Sequence, residues 1–356
     1  ALCMLLCLMP TAAFAEESAE TPPVCSCETA CTAESRNAEC PVCGAEGALP
    51  ENCEKYAPPE AALTALIGGI TGNPALITGS GTETDPYQIS TADQLKLFRD
   101  IVNGAGGQTP NAAACAVLTA NIDLNNEPWT PIGKYTDDGF DNTPYTGTFD
   151  GQGHTIKGLY VNLSDVAVGL FGCLEDAVVR NLTVDGYVQG CDTVGGIAGR
   201  ASNAAIENCS NHCSVFGGSD SIIGGIAGFN IDGAKIIDCY NVGTIRDSDV
   251  AEARGGIAGY NKGTISNCYN VGTISGIVNG GEIVGVNSGT EGNFGTVENC
   301  YYLDGTNLDA VGHSNNGNVT KTESKTAAEF ADGTAVLKLL KADRDNSPWD
   351  SCQYVA

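Results

Sequence analysis

Few side chains in this sequence could do chemistry, and their spacing decides which chemistry that would be. Asp192, Asp220, Asp247 and Asp249 each stand shortly before a Gly-Gly pair. If those pairs stack in the fold, the carboxylates line one edge. Two carboxylates ~5 Å apart would serve as acid and nucleophile on a glycosidic bond, and three could hold Ca²⁺. A solvated turn edge is the bland alternative, because the loops differ in length and Arg246 and Arg254 flank the third. Tyr240, Tyr269 and Tyr301 directly follow Cys239, Cys268 and Cys300. Alternation would point those phenols outward in a column, either to stack on sugar rings or to stabilise pairing by roughly 0.2–1 kcal/mol per pair. Phe229 and Tyr260, each after a Gly-Ile-Ala-Gly, suggest a second, shorter stripe. None of the three His (His154, His212, His313) is followed by Glu, so the H-E-x-x-H zinc-peptidase helix is missing. Histidines this scattered also disfavour a Ser-His-Asp or Cys-His arrangement. No catalytic residue, metal centre or cofactor is therefore expected.

What would position these groups is a repeat. Gly195-Gly196-Ile197-Ala198-Gly199 recurs at 224–228 and 255–259, and more loosely at 281–285, where Glu282 replaces the second glycine. A second signature trails each copy: Ile206-Glu207-Asn208-Cys209, then its equivalents ending in Cys239, Cys268 and Cys300. The spacings between those cysteines are 30, 29 and 32 residues. Such a period, with short alternating strands and Gly/Asn turns, predicts a solenoid of stacked β-coils. Coils ~4.8 Å apart would share one core. Cys209, Cys239, Cys268 and Cys300 are then inward rungs, packed as small apolar side chains. Asn211, Asn241 and Asn270 suit a stacked left-handed turn with an amide ladder. Residues 91–103 predict an amphipathic helix with a Thr91/Gln94 capping box, and Thr326 opens a second helix expected to close the other end.

The chain has 356 residues, 46 of them Gly and 17 Cys, with a formal net charge of −26. That charge argues against sequence-independent nucleic-acid binding and against docking on an anionic membrane. Residues 1–15 carry a short apolar run and Ala13-Phe14-Ala15, the h- and c-regions of a signal peptide whose basic start would precede Ala1. Export follows, without membrane insertion after cleavage. Residues 16–57 hold Cys25, Cys27, Cys31, Cys40, Cys43 and Cys53, read as a disulfide framework. Zinc knuckle spacing at Cys40-Pro41-Val42-Cys43 is the alternative, and reduced thiols are a third. Residues 58–81 read as a linker, 82–342 as the solenoid, and 343–356 as the start of a further segment.

The Gly-Leu-Phe-Gly of 169–172, the Gly-Gly-Ile-Ala-Gly copies and the Asn-Cys-Tyr-Asn returns resemble the GLUG-motif family of bacterial surface proteins. Trp129-Thr130-Pro131-Ile132-Gly133 and residues 147–156 match the stretch that usually precedes such repeats. The resemblance implies an all-β fold, a right-handed parallel β-helix with short capping helices. It also implies kinship with repeat regions that accompany immunoglobulin-A-specific metallopeptidases, without the peptidase domain. Three functions stay open. The first is a secreted or cell-surface non-enzymatic module for adhesion, binding glycans or host or microbial surface proteins, or serving as a stalk. The second is a polysaccharide-active β-helix using the Asp edge, and the third is the non-catalytic stalk of a larger surface protease.

Overall fold

The computed structural model describes residues 76–136, 142–248, 251–276, 280–290, 293–331, 335–341 and 349. The Cys-rich segment with Cys25, Cys27, Cys31, Cys40, Cys43 and Cys53, the signal peptide and Asp249 lie outside the described residues. The rest winds into a parallel β-solenoid of about seven turns with coils of ~29 residues.

One coil shows how the repeat builds it. Ala205–Glu207, Ser210–Asn211, Ser214–Gly217, Ile222–Gly224 and Ala227–Ile231 are its strands. Each pairs in parallel with its equivalent one coil on, so Ile206, Ile236, Ile265, Val297 and Val319 stand in one register column. The first four are fully buried, whereas Val319, in the last coil, is 42% exposed. Burying such a side chain contributes ~1.5–3 kcal/mol, and only stacking provides it.

Glycine is required at the corner for a specific reason. A methyl group at Gly196 would strike the amide oxygen of Asn211, and one at Gly225 or Gly256 would meet Asn241 or Asn270. The second glycine of each pair thus leaves room for an asparagine ladder. That ladder is fully buried. Asn211 Nδ2 donates to Asn241 Oδ1, and Asn241 Nδ2 to Asn270 Oδ1, both at 2.8 Å.

The left-handed turn falls elsewhere than expected. Asn211, Asn241 and Asn270 are strand residues. The turn is made by the residue before each cysteine: Asn208 (φ 50°), Asp238 (56°), Asn267 (55°) and Asn299 (50°). The chain must bend between two strands at that point, and short polar side chains tolerate the left-handed region by bonding locally.

The first end is closed by α1 (Ala92–Asn103), with Leu95, Phe98, Ile101 and Val102 buried. Thr91 accepts from the Gln94 N–H, while Gln94 Oε1 accepts from the Ser90 N–H at 2.8 Å, one residue earlier than a simple box requires. Beneath α1, Phe98 meets Tyr145 and Phe149, and both meet Phe171. Near the other end, Thr326 and Glu329 form the expected capping box before α2 (Ala327–Ala331), followed by α3 (Ala335–Lys341). These helices do not simply close the end. Phe330, Val336 and Leu340 pack with Tyr269 and Tyr301 on the side of the solenoid.

Candidate functional site

Among the described residues, Asp192, Asp220 and Asp247 do not line up into one edge. Asp247 ends the strand Ile245–Asp247 and stands in register with Gly217, which in turn pairs with Gly190. Asp220 sits in a left-handed turn (φ 61°) and is exposed. The Ile222 N–H donates to the Asp192 carbonyl, which makes Ser221 the next rung above Asp192. The carboxylates therefore occupy three different register positions. The cause is loop length: two, four and five residues separate the strands flanking Asp192, Asp220 and Asp247. Asp247 is committed inward as well. Its carboxylate accepts from the Ala251 N–H at 2.9 Å and pairs with Arg254, which is 1% exposed.

The tyrosine column exists, but not as a free surface. Tyr240, Tyr269 and Tyr301 are in register, and the first two rings stack at 4.8 Å with 3° between their planes. Rings stacked along the solenoid turn their faces to one another and only their edges outward, which is poor geometry for a sugar platform. The column is also covered. Tyr269 and Tyr301 are 4% and 3% exposed beneath Phe330, Leu340 and Trp349. The Trp349 indole lies 5.5 Å from Tyr269, and its Nε1–H donates to Asp238 at 3.1 Å. The outward, ligand-facing stripe is corrected to a core-like ladder under the C-terminal helices. The local alternation carried no sign that a distant apolar segment would fold over it.

Cys209, Cys239, Cys268 and Cys300 are buried and follow one another coil by coil. Each thiol donates to the carbonyl two residues back at 3.2 Å, as Cys239 does to Ile237. The backbone N–H of Cys209 meets Cys239 Sγ at 3.4 Å, and that of Cys239 meets Cys268 Sγ at 3.4 Å. All four thiols are packed away from solvent, and burial pushes those of Cys239 and Cys300 well up.

A different outward face remains open. Along the strands Phe171–Glu175, Ala198–Ser202, Ala227–Ile231 and Ala258–Asn261, one register row runs Cys173, Arg200, Phe229, Tyr260. Arg200, Phe229 and Tyr260 are half-buried. The Arg200 guanidinium lies 4.7 Å from the Tyr135 ring centre and 5.9 Å from that of Phe229, distances at which a cation is attracted to the ring face. Phe229 and Tyr260 meet edge to face at 5.3 Å, with Lys262 5.3 Å from the Tyr260 ring. Beside Arg200 opens a cleft of about 160 Å³ lined by Tyr135, Asn142, Pro144, Glu175 and Ser202, with Cys173 on its floor. Burial holds the Cys173 thiol up at about 11.

Phe229 and Tyr260 are legible in the sequence as a stripe, but their partners are not. Arg200 and Tyr135 are 65 residues apart, and no periodic signal links them. The buried Asn230–Asn261–Asn287 ladder on the same strands is not anticipated either, although Asn stands two residues after the last glycine of the second, third and fourth corner motifs, where the first has Ala201.

No protein-family model matches the chain. Halomucin of Haloquadratum walsbyi is 33% identical over 163 residues, which is 43% of this chain and 2% of that protein. The chain thus spans only a small fraction of this curated relative. A crystal structure of a Bacteroides ovatus chain provisionally named an immunoglobulin A1 protease superposes with a TM-score of 0.50 at 22% identity. The match covers 76% of this chain and 91% of the other. At that identity the likeness is one of fold: a parallel β-solenoid shared with a protein of that name, alongside a segment shared with halomucin.

Proposed function

We infer that this chain is an extracellular or cell-surface solenoid module that spaces and presents a binding face and carries out no catalysis of its own. The dispersal of Asp192, Asp220 and Asp247 over three register positions carries the reading, since a glycosidase needs two facing carboxylates. Support also comes from the signal-like start, from the −26 charge that suits a solvated exterior, and from the segment similar to halomucin. The resemblance to GLUG-motif surface proteins belongs to this reading. Protease shaving of intact cells of the source organism, followed by mass spectrometry, tests it. Peptides from 100–320 should be released, and their retention inside intact cells would overturn the placement. Incubation with polysaccharides followed by a reducing-end assay tests the rest: turnover would overturn the non-catalytic reading, and its loss in Asp220→Asn at an unchanged melt would assign it to the aspartates. The stalk of a larger protease is the second reading, favoured by the name of the structural neighbour. The gene sequence beyond Ala356 decides it.

A further inference from the structure

We propose that the cleft between Tyr135 and Arg200, with the Phe229–Tyr260 row beside it, binds a neutral oligosaccharide, one sugar ring seated in the cleft. The proposal rests on the surface-module reading and names the ligand class of its open face. Size is the first argument. A cleft of about 160 Å³ falls below the ~300–1,000 Å³ of sites that enclose drug-sized ligands. It has room for a single ring, with the remainder of a longer chain left outside.

Charge is the second argument. Arg200 and Glu175 line the same cleft, and Asp232 lies 3.8 Å from Arg200. A mono-anionic sugar would gain the guanidinium but face two carboxylates. A neutral polyol uses all of them: guanidinium N–H groups donate to vicinal hydroxyl oxygens, while Glu175 and the Asn142 amide accept and donate in turn. Tyr135 adds apolar surface to the cleft wall, and Phe229 lies just outside it beside Arg200.

Topology is the third. The strands 198–202, 227–231 and 258–261 are hydrogen-bonded to neighbours on both sides, so no edge is open there for an extended peptide to join. The row also runs along the solenoid axis, and one coil rise of ~4.8 Å is close to the length of one sugar unit in an extended chain. A linear chain leaving the cleft would thus meet Phe229 and then Tyr260.

The experiment is a glycan array probed with the whole chain, with neutral, uronate-containing and sialylated oligosaccharides in separate arms, followed by calorimetry on the best neutral ligand. Neutral glycans should bind, and Arg200→Ala and Phe229→Ala should each weaken binding at least tenfold with an unchanged circular-dichroism melt. Glu175→Gln, an exposed change that leaves packing alone, should weaken it several-fold. Tyr187→Ala, in a half-buried tyrosine pair on another sheet, should leave it unchanged. Binding confined to the acidic arms, binding insensitive to Arg200 and Phe229, or no binding to any neutral glycan would each overturn the proposal. Cell-surface shaving is scored separately: release of the peptides with no glycan bound would remove this inference and leave the module reading standing.

Discussion

Two corners of the solenoid occupy the same place in successive coils and are filled by opposite chemistry. In one, Gly217 lies against Ile223: a methyl group on Gly217 would run into the isoleucine side chain. One coil on, Asp247 replaces that glycine and Arg254 replaces the isoleucine. The apolar rung has become an ion pair, with the arginine 1% exposed. Gly190 and Val194 repeat the first solution a coil earlier. The same register positions thus accept either an apolar side chain beside a glycine or an aspartate–arginine pair. The second solution requires both partners at once.

Arg254→Met or Asp247→Ala breaks this buried pair and should cost about 3–5 kcal/mol, read as a lowered midpoint in urea unfolding. The double change Asp247→Gly with Arg254→Ile copies the neighbouring corner. It should recover the loss and end between neutral and ~4 kcal/mol more stable than the parent. A double change as harmful as the singles would mean that the pair does more than fill its rung.

Glu282 is a second buried acid built into a corner of the solenoid. It stands where the other corners have Gly196, Gly225 and Gly256, and its Oε2 accepts from Asn270 Nδ2 at 2.8 Å, ending the asparagine ladder. The next register position holds Tyr302 instead of another asparagine, so the carboxylate does the work of the missing amide. Burial raises its pKa, against hydrogen bonds from Thr306 and Asn270. An acid whose pKa rises on folding is most stabilising when protonated, and that contribution fades as pH climbs through the folded-state value. Glu282→Gln should therefore stabilise the fold more at neutral pH than in acid. Thermal melts at pH 4 and pH 8 check it, and an equal gain at both would count against the burial of a charge.

The smallest effect belongs to the regular part of the core. Cys239→Ala removes one rung of the thiol column and should cost ~1 kcal/mol. In the native state Cys239 and Cys268 should resist thiol-reactive probes until the protein unfolds. Prompt labelling would contradict their burial.

Fold was legible here wherever side chains repeat. The Ile and Cys rungs, the corner glycines and the Thr91 cap all follow from period and propensity, and the parallel solenoid follows from them. What escaped were contacts that the period does not carry. Trp349 reaches Asp238 across 111 residues, and that contact belongs to the segment that turns the tyrosine column from a surface into an interior. Arg254 reads as a charge flanking an acidic loop, because nothing local reveals that it replaces an isoleucine. For the open face, Phe229 and Tyr260 were visible as a stripe, but the cleft beside Arg200 depends on the non-repetitive stretch around Tyr135. Period reports what the coils share, and a binding site is built where they differ.

The thiol column bears on how the chain matures. Cys209, Cys239, Cys268 and Cys300 satisfy their hydrogen bonds with backbone carbonyls inside the core. They contribute packing in the reduced form and need no partner sulfur. The coil region can thus reach its final shape without help from a cell's thiol-oxidising machinery, and mild reductant should leave it intact.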